Sequence, residues 1–404
     1  MKKKENKLAI FGGKKVIRKN FTHYLWPPKS LSKIKHVSNY LKNEKLNSFG
    51  YPKIIEDFEN KFKKIHRRKY SLSLNSGTSA MHAALYALGL KKTDEVIAPS
   101  ITFHATATPI KSYNSKIVFC DCDPKNGNIS VEDLKKKISR KTKVLIITHL
   151  CGHPCEMDEI MKIVKKYKVF LIEDCSHAHL SKYKNKLVGR FGDIAIFSMD
   201  RNKLLSTGEG GVLITDKKLF FQRALLTSDF GPRLGTVNLN SLRSLKETGN
   251  GFKHRMHPVS AAIALNELKN LKKYIKLRHK NLNYLSREIK NIDGLKPPFT
   301  YPGIDRGAFY SYRVFFDRSI LGNVTQKKII ETLQAEGLQV RTSGNRPLHL
   351  LPFFKETGKK QELKNSEKFY NSTISLPTFT FEKKEVIDLY IKGLKKVCNY
   401  YKRK

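Results

Sequence analysis

Lys203 stands in an unusual place for a long cationic side chain. It lies within GDIAIFSMDRNKLLSTGEGGVLIT, residues 192–215, on a polar turn between an apolar run from Ile194 to Phe197 and a second from Val212 to Ile214. A glycine-rich hinge, Gly208-Glu209-Gly210-Gly211, follows it. Two readings are open there: an ordinary loop lysine in water, or an amine held in an interior pocket where it acts as a nucleophile. Three other stretches bear on the choice. Asn75-Ser76-Gly77-Thr78-Ser79 follows an apolar run and opens a helical one, so its small residues, backbone N–H groups and helix dipole suit a phosphate; a plain helix cap is the alternative. Ile172-Glu173-Asp174-Cys175-Ser176-His177 ends a very apolar run. A carboxylate there faces solvent unless it is Asp174 held against a ligand's ring nitrogen. His177 is either a local hydrogen-bonder or a donor to that ring. Phe103, in Ser100-Ile101-Thr102-Phe103-His104-Ala105, either packs in the core or stacks on a flat cofactor. With Ser198 five residues before the lysine, these groups amount to a phosphate cradle, an acid for a pyridine nitrogen, an amine for a Schiff base and an aromatic lid. That set is the inventory of a pyridoxal-phosphate site.

Such groups need strand ends to hold them. Short apolar runs at 71–74, 95–98, 116–120, 143–148, 169–173, 193–197 and 211–214 predict strands, with helical patterns at 79–88, 105–112, 130–138 and 157–167 between most of them. Ser130 with Asp133 three residues on resembles a capping box. This alternation predicts a largely parallel sheet covered by helices, with ligands at the carboxyl ends of the strands. Helical patterns at 34–41 and 54–65 flank a turn at Ser48-Phe49-Gly50-Tyr51-Pro52. Pro258 opens a long helix to about Ile292, read as a connector. Beyond it an α+β pattern follows: a strand at 310–316, a helix at 325–336, a strand at 338–341, and helices near Glu367 and Glu382, with an irregular stretch at Pro347 and Leu350 to Phe354. The expected organisation is an N-terminal arm over 1–30 containing the only tryptophan, Trp26, a large domain over 31–265, and a connector helix with a small domain over 266–404.

Composition narrows the classes. The 404 residues carry 78 Lys and Arg against 35 Asp and Glu, a formal charge of +43 that would attract polyanions. The lysines are spread over nearly every helical stretch instead of gathering on one tail or face, which fits compositional drift better than a nucleic-acid footprint. No run approaches the roughly 20 apolar residues of a membrane span, and MKKKENKLAIFGG lacks the apolar core of a secretory signal, so the cytoplasm is the expected location. Six unevenly spaced cysteines do not make a disulfide framework. Cys120, Cys122, His149, Cys151, His153 and Cys155 lack the CxxC spacing of a zinc site, so buried thiols and no metal are expected.

The stretches NSGTSAMHAAL, DEVIAPSITFHATA, HLCGHPCEMDEI, LIEDCSHA, GDIAIFSMDRNKLLSTGEGG and GFKHRMHPVSAA occur in an order that resembles the DegT/DnrJ/StrS family of sugar aminotransferases, from KLAIFGGKKVI to ISLPTFTFEKKEV. The resemblance implies an α/β, fold-type-I pyridoxal 5'-phosphate transferase of the aspartate-aminotransferase-like kind. That fold has a large domain with a mainly parallel seven-stranded sheet plus a smaller α+β C-terminal domain. It also implies a homodimer with shared active sites. By motif position, Lys203 and Asp174 are catalytic, the first linked to the cofactor and the second paired with its pyridinium nitrogen. His177 lies beside the ring, Phe103 stacks on it, and Gly77, Thr78, Ser79 and Ser198 contact the phosphate. Lys253, in Gly251-Phe252-Lys253-His254-Arg255, replaces the asparagine that in the family reaches the partner subunit's phosphate. Leu180 and Asn185 replace usual glycines, which alters a local turn at Leu180, and Met199-Asp200 replaces an aromatic and polar pair on the substrate side of the lysine loop.

The activity implied is transfer of an amino group from glutamate or glutamine to a keto sugar, nucleotide-linked, or to a keto cyclitol, in aminosugar synthesis for surface polysaccharide or secondary metabolites. The N-terminal LAIFGGKKV and the segment Arg346-Pro347-Leu348-His349 look most like the inosose-aminotransferase branch. Sugar dehydratases of the same family have His where Lys203 stands, so the lysine favours transamination. The other alternative is a non-catalytic regulatory protein that binds nucleic acid on this fold.

Overall fold

Alternating apolar runs and helical stretches build a seven-stranded and a four-stranded sheet joined by one long helix, and three two-residue strands, Lys182–Tyr183, Lys186–Leu187 and Ile304–Asp305, pair antiparallel in a third, small sheet. In this computed structural model the structure describes residues 7–18, 30–43, 46, 50–229, 233–234, 244–245, 247–357 and 362–402. Trp26, and Ser48 and Phe49 of the expected turn, lie outside the described residues.

The chain order is α1 (Leu31–Asn43), α2 (Lys53–His66), β1 (Tyr70–Leu74), α3 (Gly77–Ala87), β2 (Glu95–Pro99), α4 (Thr108–Lys111), β3 (Lys116–Cys120), α5 (Val131–Lys137), β4 (Thr142–Thr148), α6 (Met157–Tyr167), β5 (Phe170–Asp174), β6 (Lys182–Tyr183), β7 (Lys186–Leu187), β8 (Ile194–Ser198), β9 (Gly211–Thr215) and α7 (Lys218–Ser228). The second half continues with α8 (Pro258–Ile289), β10 (Leu295–Lys296), β11 (Ile304–Asp305), β12 (Tyr312–Phe316), α9 (Gln326–Ala335), β13 (Arg341–Thr342), α10 (Lys364–Asn371), β14 (Thr373–Leu376) and α11 (Lys384–Lys402).

The first sheet has seven strands in the order β1-β9-β8-β5-β4-β2-β3. The pairs among β2, β3, β4, β5 and β8 are parallel, and β9 runs antiparallel to β1 and β8. Parallel strands covered on both faces must be apolar throughout, and β2, β4 and β5 are buried along nearly their whole length. The pairings Thr148 with Asp174, Ser198 with Gly211, and Leu74 with Gly211 bring those strand ends to one edge of the sheet.

The helix expected over 105–112 is broken into a 3-10 turn at His104–Thr106 and the short α4. Pro109, at the start of α4, has no N–H with which to continue the preceding turn. Helix α7 has no counterpart in the sequence reading, and its sequence explains why. Phe220, Gln222, Ala224, Leu225, Leu226, Thr227 and Ser228 are all buried, which leaves no polar stripe to reveal the helical period, and Lys217 offers no side-chain cap. Leu180 keeps a tight turn with φ 59, in the left-handed region that glycine favours, and Asn185 does the same with φ 66.

The second sheet, β10-β12-β14-β13, is antiparallel. One face packs Tyr312, Val314, Phe316, Ile374 and Leu376 into a core with α9, α11 and the end of α8. The strand expected over 338–341 forms only at Arg341–Thr342, because Leu338 and Val340 are drawn into that core just after Gly337 turns with φ +89. Helix α8 bridges the two bodies: Ala261, Ala264 and Leu271 pack beside Phe58 and Phe62 of α2, while Leu282, Leu285 and Ile289 join the second core. Leu8 and Ile17 from the N-terminal segment are buried in the second core too, and Glu336 fixes that segment by accepting the Ala9 N–H at 2.8 Å and the Val16 N–H at 3.2 Å.

Candidate active site

At the carboxyl edge of the first sheet lies a cavity of about 350 Å³. Seven of the residues that line it, Gly77, Thr78, Phe103, Asp174, His177, Ser198 and Lys203, are among those singled out in the sequence. The cradle is built by close approach. Ser76 caps α3, its Oγ accepting the Ser79 N–H at 3.0 Å. The N–H groups of Gly77 and Thr78, first in the helix, have no acceptor within it and belong to the cavity wall. A Cβ at Gly77 would lie 2.8 Å from Ser198 Cβ, and one at Gly211 would lie 2.1 Å from the Ser76 oxygen, so the start of α3 sits against β8 and β9 only because both residues are glycine. Ser79 does not line the cavity. Its Oγ donates to Asn75 Oδ1 at 2.6 Å and lies 3.1 Å from His254 Nδ1, bracing the cradle from behind. Lys253 is exposed and does not line the cavity either.

Asp174 ends β5 almost fully buried. Its Oδ1 accepts the Ser176 N–H at 3.0 Å and its Oδ2 accepts the Thr106 hydroxyl at 2.7 Å. Thr106 Oγ1 also lies 2.9 Å from Thr102 Oγ1, which lies 2.9 Å from Thr148 Oγ1. Each hydroxyl has one proton. The Thr106 proton goes to Asp174, so Thr102 donates to Thr106 and Thr148 donates to Thr102. This directed chain aims a hydroxyl donor at the Asp174 carboxylate and fixes its orientation. The sequence reading missed all three threonines; they reach the site from separate strands and loops, and no local motif marks them.

Lys203 is 8% exposed. Burial lowers its pKa to about 8, against the opposing pull of the Asp174 and Asp200 carboxylates. Its Nζ lies 4.1 Å from the centre of the Tyr310 ring, a cation–π distance. The other side-chain ring against Tyr310 is His177, stacked at 4.0 Å with planes 11° apart. His177 Nδ1 accepts the Cys151 N–H over a long 3.5 Å, which leaves the proton on Nε2. Burial holds His177 well below its ordinary pKa, and the cations of Lys203 and Arg313 push the same way, so it is neutral. Tyr310 is the main residue that sequence reasoning overlooked. It comes from the second half of the chain, just before β12, and reads there as part of a strand.

Phe103 is 50% exposed while lining the cavity, an apolar ring left open at the mouth. Of the pair expected to shape the substrate side of the lysine loop, Asp200 lines the cavity, but Met199 is fully buried in the core. Met199 faces away because its backbone pairs inward, its N–H donating to the Gly210 oxygen at 2.8 Å. Glu173, next to Asp174, points the other way as strand alternation requires. It is fully buried and accepts the N–H groups of Gly189, Phe191 and Gly192, and lies 3.1 Å from His149 Nε2. All six cysteines are buried free thiols. His149, Glu173 and Cys175 approach within 4.8 Å of one another, but the oxygens of Glu173 are already taken up by these hydrogen bonds.

Comparison with known proteins finds a match to the DegT/DnrJ/EryC1/StrS aminotransferase family model over residues 30–394. The chain is 32% identical to the GDP-perosamine synthase of Escherichia coli O157:H7, over 85% of this chain and 89% of that protein. It is 30% identical to the spore coat polysaccharide biosynthesis protein SpsC of Bacillus subtilis, over 94% and 98%. Among solved structures, the aminotransferase from Psychrobacter cryohalolentis superimposes with a TM-score of 0.85 at 24% identity, covering 93% of this chain and 98% of that one, which shows a shared fold.

Proposed function

Because the chain belongs to the DegT/DnrJ/EryC1/StrS aminotransferase family, whose members use pyridoxal phosphate, we propose that it moves an amino group from glutamate or glutamine to a keto sugar carried on a nucleotide, or to a keto cyclitol, in aminosugar synthesis. The observation that carries this reading is the buried amine of Lys203, brought to a pKa of about 8 in the same cavity as the buried Asp174 carboxylate.

The donor set fits the cofactor. The N–H groups of Gly77 and Thr78 with the Ser198 hydroxyl suit its phosphate. Each Asp174 oxygen accepts one hydrogen bond from the protein, leaving capacity for a protonated ring nitrogen. Phe103 offers an open ring face at the mouth. When bound, pyridoxal phosphate supplies an electron sink for the pair released at the donor's Cα. This chain's residues do the rest. Asp174 keeps the ring nitrogen protonated, and His177 offers its Nε2–H as a donor. Lys203 would be the base that takes the donor's α-proton, its lowered pKa supplying the neutral amine near physiological pH.

The working unit is a homodimer in the cytoplasm, with Lys253 reaching the cofactor phosphate of the partner subunit. This supposition is supported by the exposure of Leu31, Ile34 and Phe252, apolar side chains that a second chain would cover. No helix among the described residues is long and apolar enough to cross a membrane. The test is spectroscopic. Adding L-glutamate or L-glutamine to the purified enzyme should remove the visible absorbance of its cofactor, and one member of a panel of keto sugars and keto cyclitols should restore it. Lys203→Ala should abolish the first change; an unaltered response in that variant removes Lys203 from this role, and a panel without response rejects the substrate class.

A further inference from the structure

Outside the cradle, three buried polar atoms without a hydrogen-bond partner, from Arg313, Ser343 and Asn345, lie together beside the second sheet. Arg313 on β12 and Arg341 on β13 are both in register with Ser375 of β14, one on each side of it. All three therefore project from the same face of the second sheet, the one opposite the core-packing Tyr312, Val314 and Ile374. Two strand spacings of about 4.8 Å separate the arginines, close enough for their side chains to converge on one small group. Ser311 shares the face, its Oγ 3.0 Å from Ser375 Oγ.

Neither guanidinium has a carboxylate within salt-bridge distance among the described residues. Arg313 Nε, Ser343 Oγ and Asn345 Nδ2 are buried atoms without a hydrogen-bond partner. They lie together, since a Cβ on Gly344, between Ser343 and Asn345, would sit 3.4 Å from an Arg313 terminal nitrogen. Orphaned buried donors are rare, because each forfeits its hydration without return. A group of them beside a guanidinium that has the Phe369 ring at 5.8 Å but no carboxylate among the described residues suits an anion with several acceptor lone pairs.

The position of this face relates it to the chemistry. The following loop is docked on the carboxyl end of β2, with the Leu348 N–H donating to the Ser100 oxygen at 2.8 Å and Ser100 Oγ 2.7 Å from His349 Nδ1. Three residues before Arg313 stands Tyr310, whose ring touches both Lys203 and His177. The Arg313 charge is felt at His177 and at the Tyr310 hydroxyl, and that of Arg341 at the latter.

We infer that Arg313 and Arg341, with Ser343 and Asn345, hold a carboxylate of the amino-acid donor and so position its Cα against Lys203. The inference rests on the aminotransferase reading above. A donor carboxylate is favoured over a sugar nucleotide's diphosphate because the chain that carries Arg313 also carries Tyr310, three residues before it, against Lys203 itself.

Calorimetric titration of the holoenzyme with glutarate, a dicarboxylate without an amine to react, reads the site without turnover. Arg313→Gln should weaken glutarate binding about ten- to a hundred-fold, the value of a charge-assisted hydrogen bond, and Arg313→Lys should restore part of it. Arg341→Gln, at an exposed position that does not endanger folding, should weaken it less. In single turnover the same variants should raise the half-saturating L-glutamate concentration, and all should bind UDP as wild type does. Glutarate binding that is equal in wild type and both Gln variants overturns the inference. So does loss of UDP instead of glutarate binding, or no glutarate binding by a wild type that L-glutamate converts. A wild type converted by neither glutamate nor glutamine rejects the aminotransferase reading itself.

Discussion

Removing the cofactor exposes the property of Lys203 on which the chemistry depends. In the cofactor-free enzyme its amine has a pKa brought from the ordinary 10.5 to about 8. That drop corresponds to about 3 kcal/mol of lost hydration that the carboxylates of Asp174 and Asp200 do not return. At pH 7.5 about a quarter of the Lys203 amines are neutral, against about 0.1% of ordinary lysines, so only the neutral form being nucleophilic gives it an advantage of about two hundred-fold. The assay is reductive methylation with limiting formaldehyde between pH 6 and 10, followed by mass spectrometry of the peptide carrying Lys203. Half-maximal labelling is expected near pH 8, well below the exposed lysines. Asp174 and Asp200 both favour the charged amine, so Asp174→Asn and Asp200→Asn should each move the midpoint further down. A midpoint above pH 10, or an upward movement in either variant, refutes the electrostatic account.

Three further outcomes follow from particular contacts. Gly77→Ala puts a Cβ 2.8 Å from Ser198 Cβ, so α3 must back away from β8; cofactor affinity should fall at least about ten-fold by equilibrium titration, with the loss of a phosphate hydrogen bond. Glu173→Gln leaves buried backbone N–H groups facing an amide, and should cost about 2–4 kcal/mol in urea unfolding of the cofactor-free protein; less than about 0.5 kcal/mol contradicts the structural role given to it. Burial lowers the pKa of His66 to about 3, of His153 to about 3 and of His179 to about 4, from 6.5. The unfolded chain takes up these protons below pH 6.5 and the folded one does not, so stability is full above pH 6.5 and falls as pH drops towards 4. Each histidine adds about 1.4 kcal/mol per pH unit in that window. The urea midpoint should drop steeply from pH 6.5 to 5, and because His177 is held down as well, His66→Phe should flatten the slope by no more than about a quarter; a midpoint flat across that range contradicts it.

Where a strand is buried on both faces, its run of Val, Ile, Leu and Ala is read directly from the sequence, and so β2, β4 and β5 and the residues at their ends are legible. Lys203, Asp174, Gly77 and Phe103 are legible for the same reason, as polar or aromatic residues placed where an apolar run stops. Legibility fails where residue type does not follow burial, as in α7, which buries Gln222, Thr227 and Ser228 and exposes Leu219, and where a strand is short and its partners are distant. β14 is four residues long and has no pattern of its own, yet it occupies an inner position of the second sheet, fixed by pairing with β12 and β13. The threonine chain behind Asp174 fails for a third reason. Thr102, Thr106 and Thr148 each have an ordinary local role, and only the parallel register of β4 with β5 and the loop after β2 brings their hydroxyls into one line.

Tyr310 shows how the two sheets depend on one another. Its ring contacts Lys203 on the loop after β8 and His177 on the loop after β5, while the chain runs on from it into β12, with Arg313 and the second core. Displacing the second sheet by an ångström would therefore disturb three things at once: the cation–π contact that favours the charged lysine, the stacking that orients the imidazole, and the arginine face beside them. Tyr310→Phe keeps the ring and should preserve the lysine's labelling midpoint near pH 8. Tyr310→Ala removes a contact that favours the protonated amine but admits water, which favours it too. Rehydration of a buried ammonium outweighs one cation–π contact of about 2 kcal/mol, so the midpoint should rise. A fall would mean that the ring, and not exclusion of water, governs the charge on Lys203.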